Sequence, residues 1–213
     1  MSVSFKAALV MAFAVPSSLI AGSAGVMAQS PAADLSAVSA HIRAVGTMAA
    51  DFSQTDRKGG RASGALLLKR PGHIRFDYGK SAGLLIVGDG KSLNVIDYQV
   101  KQVQRWPIGN SPLSALLDPS RDLARYGRLV PTGNPNILSV AVKDPKRPEY
   151  GTITMIFLRD PAAPAGLTLQ SWVALDSQNN RTTVRLSNIR YNQPIASAAF
   201  KWTDPRPRRT PGR

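Results

Sequence analysis

The 213-residue chain contains no cysteine, only two histidines and a single glutamate. Without cysteine it forms no disulfide, although an oxidising compartment would permit one, and it offers no cysteine for lipid attachment. A metal site needs several histidine, cysteine or carboxylate ligands grouped together, and His41, His73 and Glu149 are scattered along the chain. We therefore expect neither a metal ion nor another cofactor.

Sequence motifs of catalysis are also missing. No serine stands in a G-x-S-x-G context. The segment GDGKS lacks the spacing of a phosphate-binding loop and joins two predicted strands. Asp89, Asp97 and Asp118, the nearest approach to a carboxylate cluster, stand at predicted turns and strand ends, where aspartate commonly bonds to the backbone. The sequence predicts a protein that is not an enzyme.

No hydrophobic run in the sequence is long enough to span a membrane. Residues 1–28 instead have the parts of a secretory signal peptide: a short basic start ending at Lys6, the apolar segment AALVMAFAV, and small residues up to Ala28. We expect cleavage near Ala28 and a single folded domain over residues 29–203. The basic, proline-rich residues 204–213 have nothing to bury, and are predicted to form a disordered tail.

Positive charge is in excess: the formal net charge is +14, and 26 basic against 13 acidic residues remain once Lys6 is removed, a balance of +13. Two interpretations stay open. The basic side chains lie on solvated strand faces, or they attract the protein to anionic phospholipid headgroups at a membrane surface. Nucleic acid is not an expected partner, because an exported protein rarely meets it and no RNA-binding or helix-turn-helix signature is present.

One amphipathic helix is predicted first, in DLSAVSAHIRAVGTM, where Leu35, Val38, Ile42 and Val45 recur at helical spacing before Gly46. Beyond it the apolar period changes to two, and hairpin turns separate successive strands. The segment SPLSALLDPSRDLARYG interrupts them with one or two short helices, and four further strands follow.

Hairpin-length connections make the predicted sheet antiparallel, and one sheet of this size must curl. Several strands, such as TITMIFL, are apolar on both sides, while few helices are available to cover them. Either the sheet folds into a sandwich that covers itself, or its concave face is left for the helices and a bound guest. The residue pattern leaves both arrangements open.

The hairpin GALLLKRPGHIRFDYGK indicates which strand residues face the concave side of the sheet. A two-residue turn at Pro71-Gly72 would pair Arg70 with His73 and place Leu67 on the side of Ile74, Phe76 and Tyr78. We predict that this side is the concave one. A bulge at the turn would reverse the assignment of one strand.

Three segments, ADFSQT, GALLLKRPGHIRFDY and IVGDGKSLNVIDYQVKQV, occur in this order and resemble the LolA family of periplasmic outer-membrane lipoprotein carriers. The family pattern is an F-x-Q strand, then G-x-L-x-x-K-R-P with an aromatic strand, then V-x-D-G-K-x-L-x-x-x-D. The matching residues are Phe52, Gln54, Gly64, Leu66, Lys69, Arg70, Pro71, Phe76, Val87, Asp89, Gly90, Lys91, Leu93 and Asp97. The match is specific over residues 50–103 and looser to residue 191.

The resemblance implies a mainly β (α+β) fold: a curled, unclosed antiparallel β-barrel with short helices forming a lid over a hydrophobic cavity. It implies a monomeric carrier in the periplasm that takes lipoproteins from an inner-membrane ABC transporter, shields their acyl chains and passes them to an outer-membrane receptor. In the family the arginine of the K-R-P motif latches the lid, which assigns that role to Arg70.

We place the lid and the cavity lining on two sets of apolar residues. The candidate lid residues are Val38, Ile42, Leu113, Leu116 and Leu117. The candidate lining residues are Phe52, Leu67, Ile74, Phe76, Tyr78, Val95, Met155, Phe157 and Trp172. The sequence departs from the family pattern beyond Phe200, which leaves any C-terminal strand contact in question.

Two other functions stay open. One is a lipid- or lipoprotein-sensing interaction module of the same fold; such modules usually carry a second domain, and we expect none here. The other is a secreted protein that binds anionic polymers, for which the net charge is the only indication.

Overall fold

The computed structural model describes residues 30–108, 114–117, 123–143 and 148–207. The predicted signal peptide, residues 1–28, lies outside them, as does the lid candidate Leu113. The helices are α1 (Pro31–Ala44), α2 (Gly79–Ala82), α3 (Ser114–Leu117) and α4 (Leu123–Tyr126). The strands are β1 (Thr47–Thr55), β2 (Arg61–Lys69), β3 (His73–Asp77), β4 (Leu84–Asp89), β5 (Ser92–Asp97), β6 (Gln102–Pro107), β7 (Gly127–Val130), β8 (Ile137–Lys143), β9 (Thr152–Arg159), β10 (Leu167–Leu175) and β11 (Arg181–Tyr191). Short 3₁₀ helices cover Pro148–Tyr150, Pro164–Gly166 and Ser197–Phe200.

Helix α1 begins earlier than its apolar pattern suggests. The Oγ atom of Ser30 accepts a hydrogen bond from the amide of Ala33 at 3.3 Å, and Pro31 occupies the first turn, where its missing N–H costs nothing. The helix ends at Ala44, so Val45 lies just beyond it, although its side chain is still buried.

The strands form one antiparallel sheet in the order β6-β5-β4-β3-β2-β1-β11-β10-β9-β8-β7. Most neighbours are consecutive in the chain. The exception is β1, which pairs with β11 from Met48–Tyr191 to Thr55–Thr183 and so joins the two halves of the molecule. Strands β6 and β7 stand at the two ends of this order and are not paired with each other within the part of the chain that the structure describes. The prediction of an unclosed antiparallel barrel is confirmed.

The sheet curls strongly. Phe76 on β3 and Trp172 on β10 are separated by three intervening strands, which would place them about 19 Å apart in a flat sheet. Their ring centroids are 6.1 Å apart. The sheet therefore bends around one face, which α1, α3 and α4 cover with buried apolar side chains. Of the two arrangements left open by the residue pattern, the one with helices over the concave face is observed.

The register of the hairpin formed by β2 and β3 corrects the predicted position of Leu67. Lys69, not Arg70, pairs with His73, so the turn holds three residues, Arg70 to Gly72, and contains a cis peptide bond before Pro71. The extra residue shifts the side-chain alternation of β2 by one position. Leu67 therefore points to the outer face, and its assignment to the concave face was wrong.

The outer face of β2 to β5 has a small core of its own, built from Leu85, Val87, Ile96 and Phe200. The segment after β11 covers it: Lys69 Nζ donates to the carbonyl of Ile195 at 2.9 Å. Residues 192–207 contain no strand and so form no C-terminal strand contact, the contact that the departure from the family pattern left in question; they pack on the outer face through a 3₁₀ helix and loop contacts instead. In the described part of the predicted tail, residues 204–207, Arg206 forms an exposed ion pair with Asp204 and Pro205 is half-buried; the predicted disorder of the tail stays a prediction.

Candidate functional site

The inner face of the sheet carries a group of four aromatic side chains. Phe52 contacts Phe76 and Tyr78 edge to face, with ring centroids 5.2 Å and 5.0 Å apart, and Phe76 contacts Trp172. Edge-to-face packing directs ring hydrogens at a neighbouring ring face, which is the preferred geometry for such pairs. The four rings join β1, β3 and β10 into one apolar surface.

Tyr78 is the polar edge of this surface. Its hydroxyl donates to Oε1 of Gln54 at 2.8 Å, and burial raises the pKa of the phenol to about 12, so it remains neutral. Gln54 is the glutamine of the F-x-Q motif. Its contribution to the site is to satisfy the buried hydroxyl, which would otherwise be costly to desolvate.

Gly64 makes the close approach of strands at this point possible. A Cβ atom there would lie 2.0 Å from the carbonyl oxygen of Asp77 and 3.0 Å from the ring of Phe52. Any larger residue would displace either β3 or the aromatic group. This explains why glycine opens the second motif.

Short helices cover the inner face. Val38 and Ile42 of α1, Leu116 and Leu117 of α3, and Leu123 of α4 are all buried in the same apolar cluster as the aromatic group. The four lid candidates that the structure describes therefore lie over the sheet, as their assignment requires; whether the helices move as a lid stays a prediction.

Arg70 holds two of these helices at their C-terminal ends. Its Nε and Nη2 atoms donate to the carbonyl of Leu116 at 3.2 Å and 2.9 Å, and Nη1 donates to the carbonyl of Val45. Gly72, in the same turn, donates its amide to the carbonyl of Leu117 at 3.2 Å. Backbone carbonyls at helix ends have no partner within the helix, so the guanidinium supplies the donors that they lack. Burial lowers the pKa of Arg70 to about 10, and the group stays charged near neutral pH.

His41 is a buried residue of the site that the sequence did not single out. Its ring lies between Phe157 and Tyr191, 5.4 Å and 5.5 Å away, and Nδ1–H donates to the carbonyl of Pro164 at 2.8 Å. Burial lowers the pKa of His41, against the effect of that hydrogen bond, and the charge of Arg70 lowers it further. Its position one residue before Ile42 on the apolar side of α1 was the signal that could have identified it.

The other lining candidates divide by position. Phe52, Ile74, Phe76, Tyr78, Met155, Phe157 and Trp172 are all buried in the inner cluster. Val95 is half-buried beside Ile86 on the same face, toward the open edge at β6. The sequence reasoning missed other inner residues that are just as buried: Met48, Leu66, Leu68, Leu138, Val140 and Leu169. Which of them an apolar guest would touch stays a prediction.

A groove of about 780 Å³ lies where α1 meets the open edge at β7 and β8. Leu35, Leu129 and Leu138 line it and also belong to, or pack against, the inner cluster. At its rim Arg159 Nη2 donates to Oδ1 of Asp34 at 2.5 Å, which ties the start of α1 to β9. The groove therefore adjoins the apolar interior at the place where the barrel is not closed.

Among the described residues, no helix has both the length and the apolar character needed to cross a membrane.

Comparison with known proteins gives one consistent result. The family model described as outer membrane lipoprotein carrier protein LolA matches residues 43–203. An outer-membrane lipoprotein carrier protein of Chromobacterium violaceum is 33% identical over 192 residues, covering 86% of this chain and 89% of that protein. Proteins of the same name from Dechloromonas aromatica and Neisseria meningitidis serogroup B are 30% and 29% identical, covering 75% and 72% of this chain and 78% and 73% of theirs.

Proposed function

This chain belongs to the LolA family of outer membrane lipoprotein carrier proteins, and we propose that it carries lipoproteins across the periplasm with their acyl chains held against the inner face of the sheet. We propose further that it takes them from an inner-membrane ABC transporter and passes them, as a monomer, to an outer-membrane receptor. One observation supports the carrier function most directly. The sheet has a continuous apolar face covered by short helices, and Arg70 bonds to the ends of two of them.

A lipoprotein carrier must shield a large apolar surface from water. Each CH₂ group kept from water contributes about 0.8 kcal/mol, so a chain of about 16 carbons requires on the order of 12 kcal/mol of shielding. An apolar surface that remained open would aggregate or bind unrelated proteins. While no cargo is bound, the protein's own helices cover the apolar surface and so prevent aggregation and unspecific binding.

The same cover favours release. An acyl chain must displace side chains such as Val38 and Leu116, which are already buried, and must break the bonds from Arg70 to the helix ends. Part of the binding free energy is therefore used to open the lid, and the affinity for cargo is lower than the apolar area alone would give. A carrier needs this compromise, because cargo held at full affinity would not be passed on.

The groove between α1 and β7 is the route that we assign to the acyl chains. It already adjoins the inner cluster through Leu35 and Leu138, and the ion pair Asp34–Arg159 spans it. Movement of the N-terminal part of α1 away from β9 would extend the groove inward without breaking a strand pair.

The absence of native cysteine permits a direct test. In the variant Asp34→Cys/Arg159→Cys a short, reducible bismaleimide linker would join α1 to β9. We expect the cross-linked protein to take up no acylated lipoprotein from spheroplasts, whose inner membrane is intact, as judged by mass spectrometry of the repurified carrier, and to recover uptake after reduction.

The matched control is Ser53→Cys/Ser63→Cys, an exposed register pair on β1 and β2 that the same linker joins without restraining a helix. It should take up cargo normally. If the lid-linked protein takes up lipoprotein as well as this control does, the inner face under α1 is not the acyl-chain site.

A further inference from the structure

Two apolar side chains protrude at the turn between β5 and β6. Val100 is 60% exposed and Tyr98 is 39% exposed, whereas most large apolar residues of the described chain are buried. The turn lies at the end of the sheet opposite to Arg70, because β5 and β3 run away from the Arg70 turn. These side chains therefore serve neither the lid nor the groove.

The turn is rigid. Asp97 Oδ1 accepts hydrogen bonds from the amides of Gln99 at 2.9 Å and Val100 at 3.1 Å. The side chain of Gln99 donates to the carbonyl of Ser81 at 2.9 Å, which joins the turn to α2. The amide of Tyr98 donates to the carbonyl of Gly83 at 2.8 Å. Residues 79–83 and 98–101 thus form one bonded unit, which we call the β5–β6 corner.

The corner carries an excess of positive charge. Lys80 and Lys101 are exposed, and neither has an ion-pair partner within residues 30–108, 114–117, 123–143 and 148–207. Of the two nearby carboxylates, Asp77 is paired with Arg75 at 2.9 Å, whereas Asp97 bonds to neutral turn amides and keeps its negative charge. The two lysines therefore leave one positive charge in excess at the corner.

Further basic residues stand at the same end of the sheet. Arg57, Lys58 and Arg61, on the hairpin between β1 and β2, are exposed. Two exposed aspartates, Asp56 and Asp176, lie at the same end, but the basic residues there outnumber the carboxylates, so the field at this end favours an anionic surface.

We propose that the β5–β6 corner docks on anionic phospholipid bilayers, with Val100 and Tyr98 entering the headgroup region and Lys80 and Lys101 contacting lipid phosphates. The interface of a bilayer has an apolar acyl-chain layer beneath charged headgroups. An exposed valine and tyrosine suit the apolar layer, and the flanking lysines suit the headgroups. Two exposed apolar side chains are too few for a stable protein interface, which buries about 800 Å² on each partner. Docking here leaves the groove and Arg70 free at the other end of the barrel, so the carrier stays near a membrane without blocking its cargo route.

The test is co-flotation of the exported, processed protein with vesicles of phosphatidylglycerol and phosphatidylethanolamine, or of phosphatidylcholine alone. Wild-type protein should float with the anionic vesicles only, and less so as salt rises. Lys80→Gln/Lys101→Gln should lower partitioning about thirtyfold, since each lysine contributes about fivefold. Val100→Asp should lower it on the order of tenfold.

Matched controls lie at the opposite end of the sheet. Lys91→Gln removes an exposed lysine from the turn between β4 and β5, and Trp106→Asp removes a side chain that is 55% exposed on β6. Both should float like wild type. The proposal is overturned if wild-type protein does not bind anionic vesicles, or if these controls lose as much binding as the corner variants. It is equally overturned if Val100→Asp binds normally and a soluble polyanion such as heparin competes fully, because the corner would then be a site for polyanions. None of these outcomes depends on cargo uptake, so failure here leaves the proposed carrier function standing.

Discussion

Arg70 and Leu116 are 46 residues apart in the chain, yet two guanidinium nitrogens of Arg70 share the carbonyl oxygen of Leu116. The third nitrogen bonds to the carbonyl of Val45 at the end of α1. One side chain at the turn between β2 and β3 therefore holds α1 and α3, two helices far apart in the chain, over the inner face. A rigid fork of donors allows this, because a single amine could not reach both carbonyls with the same geometry.

Replacing the fork should open the cover without unfolding the sheet. In Arg70→Leu the carbonyls of Leu116 and Val45 lose their donors, and we expect the free energy of unfolding to fall by about 1 to 3 kcal/mol. Hydrogen exchange should quicken in α1 while the strand amides stay protected, and transfer of lipoprotein to its receptor should be impaired. The transfer rate of Arg70→Lys should lie between those of wild type and Arg70→Leu, since lysine keeps the positive charge but can replace only one of the hydrogen bonds. Transfer kinetics equal to wild type in Arg70→Leu would rule out the latch.

Stability should depend on His41 in mildly acidic solution. Its pKa is lowered in the folded protein from the ordinary value of 6.5, so between these two values the unfolded chain binds more protons than the folded one. The His41 contribution is fully present above about pH 6.5 and is lost as the pH falls below it. Chemical denaturation at pH 7.5 and 5.5 should show this loss in wild type.

In His41→Phe the ring still packs between Phe157 and Tyr191 but does not titrate, so the difference between the two pH values should shrink. Ile42→Val, which alters the next buried residue of α1 but no titratable group, is the control and should keep the wild-type pH dependence. An unchanged dependence in His41→Phe would show that another group causes it.

Gly64→Ala should be strongly destabilising for its size. The added methyl group would lie 2.0 Å from the carbonyl of Asp77, and neither that backbone nor the ring of Phe52 can retreat without disturbing the aromatic group. We expect a loss of about 2 to 3 kcal/mol in urea unfolding. Gly46→Ala is the control: its nearest contact would be at 3.8 Å, and the change should stay within about 0.5 kcal/mol. Equal effects from the two substitutions would contradict this account of Gly64.

The C-terminal segment should contribute to stability through Phe200 and not through the residues after it. Phe200→Ala removes the cover from Leu85, Val87 and Ile96 and should cost about 3 kcal/mol. Among the described residues, truncation after Thr203 removes an exposed ion pair and the half-buried Pro205, and it should change the midpoint of thermal unfolding far less than Phe200→Ala does. A large loss on truncation would mean that the tail packs on the domain.

Much of the fold was predictable because it depends on local pattern. The spacing of Val38 and Ile42 indicated the covering helix, Phe52 was assigned to the inner face of the sheet, and all three side chains are buried. The K-R-P motif identified Arg70 as the residue to examine. Leu67 was misplaced because one additional residue in a turn reverses the facing of a whole strand, and the choice between a two-residue and a three-residue turn is not visible in the letters KRPG.

Composition and periodicity by themselves determined that this protein is β-rich and without disulfides, with one amphipathic helix and several strands that are apolar on both sides, since these properties depend on residues close together in the chain. Only the tertiary structure decided that β1 pairs with β11, that His41 is buried near Arg70, and that Phe200 returns to cover the outer face of β4 and β5. These contacts join residues more than a hundred positions apart, or residues on separate elements, and their partners are selected by how the sheet curls.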